Sequence, residues 1–131
     1  MSDLVAFLSA RLDEDEAAAN AAASVAGPGW KYETYWPEDE GTTRTCVRSE
    51  TDAFLADLYD APDYPDLAAH IARHDPARVL REVEAGRKIL AMYRDAVAEA
   101  GSVTVEWLLA VVETKAAVYR EHPDYDPAWA I

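Results

Sequence analysis

Two histidines four residues apart, His70 and His74, carry the most specific chemistry in the chain, because on one helical face they would aim two imidazoles at a Zn²⁺ ion. With His122 or Asp75 as a third ligand, they define an enzymatic reading, a small metal-dependent hydrolase using His70, His74 and His122. The same residues have structural uses. Asp75 directly precedes Pro76, the pattern of a helix N-cap, and His74 stands where a preceding turn leaves carbonyls unpaired. Those capping roles are the expected ones. Asp60, Asp63 and Asp66 recur every third residue but lack the interleaved ligands and central glycine of a Ca²⁺ loop. Trp30, Tyr32 and Trp36 form an alternating ladder able to stack bases or sugars, yet a half-buried strand uses such residues to pack on a helix. The sequence has no phosphate-binding glycine loop, no GxSxG elbow and no HExxH pair, so no catalytic residue, metal ligand or cofactor is assigned.

The elements that must position these residues follow from periodicity. Residues 3–23 read as an amphipathic helix, with Leu4, Val5, Phe7, Leu8 and Leu12 on one stripe and Asp13, Glu14, Asp15 and Glu16 on the other side. Gly27-Pro28-Gly29 stops it. Trp30 to Trp36 alternates as a strand, a Gly41-containing loop follows, and Thr42 to Arg48 alternates again, which predicts a β-hairpin. Residues 51–59 fit either a strand or a short helix, and a third strand is favoured because a lone hairpin is marginal. After an irregular link, a short helical turn is expected over Leu67 to Ala72. A long helix then runs from Pro76 to about Ala100, with Gly86 marking a close contact. Ser102 caps a last helix, Val103 to Arg120, with Val105, Leu108, Leu109, Val112, Ala116 and Tyr119 inward. The tail from His122 to Trp129 is read as irregular, its aromatic residues pinning it to the core. The predicted fold is α+β: an N-terminal helix, a two- or three-stranded antiparallel sheet and two longer C-terminal helices, in a single domain over 1–131.

Composition sets the partner class. The 131 residues are half hydrophobic, and 12 Lys+Arg against 25 Asp+Glu give a net charge of −13, which repels a phosphate backbone and excludes direct nucleic-acid binding. The excess is uneven: residues 51–75 hold six aspartates against one arginine, whereas residues 76–100 hold five basic against four acidic residues. One cysteine, Cys46, cannot form an internal disulfide, so a reducing, cytoplasmic setting is expected. The start carries neither a basic n-region nor a continuous apolar core, so no signal peptide is read, and no apolar run approaches the roughly 20 residues of a membrane helix.

The block Ala69-His70-Ile71-Ala72-Arg73-His74-Asp75-Pro76-Ala77-Arg78-Val79-Leu80-Arg81-Glu82-Val83-Glu84 resembles the hallmark segment of an uncharacterised family of small actinobacterial and phage-associated proteins. The opening Leu4 to Glu16, the Gly27-Pro28-Gly29-Trp30 turn and the ending His122-Pro123-Asp124-Tyr125 resemble its other recurring pieces. The resemblance implies an origin and no activity. The expected function is therefore a non-enzymatic module that binds a protein partner, a basic one by charge, through Asp13, Glu14, Asp15, Glu16, Asp57, Asp60, Asp63 and Asp66. An inhibitor that mimics nucleic acid on a basic host or defence protein is the alternative, and amphipathic helices in a small domain make a homodimer a further expectation.

Overall fold

Alanine-rich sequence carries the first helix of the computed structural model, α1 (Ser2–Ala26), three residues past its expected end, to Gly27 at φ +77°. There the Gly27 amide donates to the Ala23 carbonyl at 2.8 Å, and a residue without Cβ takes the left-handed cap. Three strands follow, β1 (Trp30–Tyr35), β2 (Arg44–Ser49) and β3 (Phe54–Leu58), then α2 (Tyr64–Arg73), α3 (Pro76–Ala98), α4 (Val103–Ala116) and two 3₁₀ turns, Ala117–Tyr119 and Pro127–Trp129. The architecture is α+β, as the sequence predicts. The structure describes residues 2–35, 41, 44–58, 64–99 and 103–131, so Trp36, most of the hairpin loop, Asp60, Asp63 and Ser102 lie outside the described residues. The chain forms two compact units, Met1–Glu16 with Arg81–Ile131, and Ala17–Leu80.

In the Ala17–Leu80 unit the sheet order is β1-β2-β3, antiparallel throughout. Tyr32 pairs with Val47, which pairs with Ala56, and a bulge between Val47 and Arg48 lets Phe54 meet Arg48. The ambiguous 51–59 segment is thus a strand at Phe54–Leu58. Its turn is tied by Ser49, whose Oγ accepts from the amides of Thr51 at 3.2 Å and Ala53 at 3.0 Å. Helix α2 covers one face, where Val47, Ala68 and Ala72 form a core joined by Trp30, Leu55, Leu58 and Ile71. The aromatic ladder is less buried than its alternation suggests, because β1 is an edge strand: Trp30 reaches the core, while Tyr32 and Thr34 stay exposed. On the opposite face Arg48 pairs with Glu33 at 2.6 Å and lies 3.9 Å over the Phe54 ring. Cys46, on the central strand, is fully buried.

Asp75 joins sheet to helix. Its Oδ1 accepts from the Arg78 amide at 2.9 Å as the N-cap of α3, and its Oδ2 accepts from the Trp30 amide at 3.3 Å, beside a bond from the Ala77 amide to the Pro28 carbonyl at 2.9 Å. Asp75→Ala is expected to cost about 1–3 kcal/mol, since a cap and a second acceptor are lost together. Asp75→Asn, which keeps one of the two acceptors and can retain the helix cap while losing the bond from the Trp30 amide, should cost less than the alanine in urea denaturation.

In the other unit, Leu4, Phe7, Leu8 and Leu12 of α1, Val83, Leu90 and Tyr93 of α3, and Val112 and Ala116 of α4 are buried. Gly86 sits against Leu12, so the glycine inside α3 marks a close approach. The final turns differ from expectation at both ends. The last helix tightens to 3₁₀ after Ala116, and the tail holds one ordered turn because Asp126 Oδ1 accepts from the Ala128 amide at 2.9 Å with Pro127 at the first position.

Candidate functional site

The acidic run on α1 does not stand free. Arg87 of α3 pairs with Asp13 at 2.8 Å and with Glu16, Arg11 pairs with Glu14 at 2.8 Å, and the Tyr119 hydroxyl donates to Asp15 Oδ2 at 2.6 Å. Glu16 and then Asp13 raise the pKa of the Arg87 guanidinium above its ordinary value. All four carboxylates therefore serve the fold, yet Asp13 and Glu14 remain 66% and 61% exposed and still present charge outward. Of the other residues assigned from sequence, Asp57 pairs with Arg44 at 3.2 Å, Asp66 lines a pocket, and Asp60 and Asp63 lie outside the described residues.

Arg11 is only 8% exposed and sits at the centre of the tail's docking site. Its guanidinium lies 5.2 Å from the Phe7 ring centroid and faces the His122 ring, whose Nδ1 accepts from the Asp124 amide at 3.1 Å. Phe7 in turn meets Tyr119, Tyr125 and Trp129 at 6.4, 5.8 and 5.2 Å between centroids. The aromatic tail is thus pinned as the sequence suggests, around a cation that sequence reading did not single out.

Burial, and then the bond to Asp15, push the Tyr119 hydroxyl well above the ordinary tyrosine range; burial, and then Glu113, raise Tyr93. Folded protein holds these protons more tightly than the unfolded chain does. Their contribution is therefore complete below the unfolded tyrosine value of about 10 and is lost as pH rises through the raised folded values. Stability is expected to decline from about pH 10 upward, less steeply in Tyr119→Phe. Urea midpoints between pH 8 and 11 check this; identical slopes would remove Tyr119 from the account.

His70 and His74 meet at the end of α2, ring centroids 4.3 Å apart, and His74 Nδ1 donates to the His70 carbonyl at 2.8 Å. The carbonyl can only accept, so Nδ1 carries the proton and the helix end is capped by a side chain. The two rings line an open pocket of about 360 Å³ with Asp66, Ala69, Arg73 and Arg78. Among the described residues no three His, Cys, Asp or Glu side chains are grouped as metal ligands would be, and no helix is long and apolar enough to cross a membrane.

Helix α4 carries apolar residues on two faces. Val112 and Ala116 are buried, while Val103, Trp107 and Val111, spaced i, i+4 and i+8, are 72%, 72% and 43% exposed. By helical geometry Glu106, three residues after Val103, stands beside the start of this outer row. Sequence reading had found only the inner face, although the four-residue spacing of the outer row was present in the chain.

Fold and surfaces together define a small, acidic α+β protein with an exposed apolar helix row and a basic pocket. The whole chain, residues 1–131, matches the family described as a family of unknown function, DUF6221, and belongs to it. No curated protein and no solved structure matches the chain.

Proposed function

We propose that the protein is a non-enzymatic interaction module in which an acidic surface draws in a basic protein partner and the outer row of α4 holds it. The observation that carries this reading is Trp107, exposed between Val103 and Val111 in a row with Glu106 beside its start. A large exposed apolar row is uncommon on a monomer, and tryptophan is among the residues that dominate binding at interfaces. The charge supports the same partner: 12 basic residues cannot cancel 25 acidic ones, whatever ion pairs form. Asp13, Glu14, Asp15, Glu16, Asp57, Asp60, Asp63 and Asp66 contribute to that field, which accelerates encounter and is screened by salt, while desolvated apolar contact sets the lifetime of the complex. The single, buried Cys46 fits a reducing cytoplasmic setting, and the central Ala69–Glu84 block suggests an actinobacterial or phage-associated one.

Affinity capture from host lysate at low and high salt tests the reading, followed by affinity measurement with the purified partner. A basic protein is expected whose binding weakens with salt and drops at least tenfold with Trp107→Ala. Binding abolished by salt but indifferent to Trp107→Ala would replace this reading with mimicry of a nucleic acid in a basic groove. Recovery of the chain alone, with dimers lost in Trp107→Ala, would make the partner a second copy.

A further inference from the structure

Strand β1 has a partner strand on one side only. In an extended strand the amide and carbonyl of one residue point the same way, and the direction alternates from each residue to the next. The Gly29 carbonyl accepts from the Glu50 amide at 3.0 Å, so Gly29, Lys31, Glu33 and Tyr35 turn their backbone groups to β2, while Trp30, Tyr32 and Thr34 turn theirs outward. Asp75 takes the outward Trp30 amide at 3.3 Å. Among the described residues nothing takes the Trp30 carbonyl or the amides and carbonyls of Tyr32 and Thr34. Lys31, Tyr32 and Thr34 are exposed, so no described element covers this edge. An open edge of this kind is a template for another strand.

Charge points to a second copy of the same strand and fixes the register. Antiparallel pairing of two β1 edges must set Trp30, Tyr32 and Thr34 opposite one another, which leaves twofold centres at Lys31, Tyr32 or Glu33 in the middle of the strand. A centre at Lys31 opposes two ammonium groups and one at Glu33 opposes two carboxylates, and like charges directly opposite are destabilising. A centre at Tyr32 sets each Lys31 opposite Glu33 of the second copy and brings the two Tyr32 rings together. Each Tyr32 amide then donates to the other Tyr32 carbonyl, and each Thr34 amide to the Trp30 carbonyl across the axis, so the Trp30 amide stays on Asp75. Lys31 holds Asp52 at 3.0 Å and Glu33 holds Arg48 at 2.6 Å, yet neither is used up: the ammonium has further N–H groups, the carboxylate a second oxygen, and the side chains are 48% and 41% exposed. We propose that the protein forms a twofold dimer through β1, its edge strands joined antiparallel about Tyr32 into one continuous sheet. The contact is small and the two chains, each of net charge −13, repel, so a Kd of about 10–100 μM is expected. It uses nothing of α4, so either proposal stands without the other.

Sedimentation equilibrium and amide hydrogen exchange, each over a range of protein concentration, test this. Exchange at high concentration should slow at the Tyr32 and Thr34 amides and not at Lys31 or Glu33, whose amides already bond to β2. Lys31→Glu and Glu33→Lys should each weaken self-association about tenfold, while an equimolar mixture of the two should pair at least as tightly as the parent, because every carboxylate then meets an ammonium group. Mixing does not rescue a chain that has merely misfolded. Trp107→Ala should leave the dimer intact. The exchange pattern needs no variant, so it decides alone if either substitution unfolds the chain. A chain still monomeric at about 1 mM, protection that does not single out Tyr32 and Thr34, folded variants that fail to pair on mixing, or a dimer lost in Trp107→Ala would each overturn the proposal.

Discussion

Leu12→Ala is expected to cost about 3 kcal/mol and to reverse the sign of a second substitution, Gly86→Ala. Leu12 is 1% exposed, so its truncation loses apolar burial and opens a cavity. A Cβ on Gly86 would lie 2.8 Å from Leu12 Cδ2, 3.1 Å from Cδ1 and 3.4 Å from Lys115 Cε. In the native background Gly86→Ala gains about 1 kcal/mol of helix propensity and loses about 2 kcal/mol to overpacking, a net loss near 1 kcal/mol. Once Leu12 is alanine the clash is gone and the propensity gain remains. The coupling, about 2 kcal/mol, is measured by a double-mutant cycle in urea. Simple additivity would show that the Leu12 methyls move aside at little cost.

Arg11 should show a second large effect, with an order that charge counting reverses. Arg11→Ala is expected to lose about 2–4 kcal/mol, because the buried side chain packs between Phe7 and the His122 ring and its removal leaves a hole under the tail. Arg11→Met, which fills the space without a charge, should stay within about 1 kcal/mol of the parent, since a buried cation costs desolvation that its partners only offset. Glu14 is largely exposed, and its ion pair with Arg11 is worth correspondingly less. Thermal unfolding ranks the three proteins; a methionine variant as damaged as the alanine one would show that the charge itself holds the tail.

Local signals were legible where one residue type has one conformational use. Asp75-Pro76 marked the start of α3, the Trp30 alternation marked the hairpin, and Gly86 marked a close packing point. Faces were legible too, as the inward side of α4 shows. What periodicity cannot supply is the neighbour. The partners of Asp13 and Asp15 lie 74 and 104 residues away, at Arg87 and Tyr119, so a run read as a solvated surface is also a set of fold contacts. The basic pocket was hidden for a related reason. His70, Arg73 and Arg78 are ordinary helix residues until the short turn at His74 and Asp75 brings the first turn of α3 to the end of α2.

One unit draws Met1–Glu16 from the start of the chain and Arg81–Ile131 from its end, and this division governs the order in which surfaces meet during synthesis. At the ribosome's pace of about 5–20 residues per second, Leu4, Phe7, Leu8 and Leu12 leave the exit tunnel several seconds before Tyr119 and Trp129 exist to meet them. Over that interval a nascent apolar stripe waits in the open. Asp13, Glu14, Asp15 and Glu16 emerge directly behind it, and Asp13 and Glu16 go without their Arg87 partner until the chain has grown past α3. The ion pairs that fasten Asp13 and Glu16 are thus late contacts, although the carboxylates that make them are among the first residues synthesised.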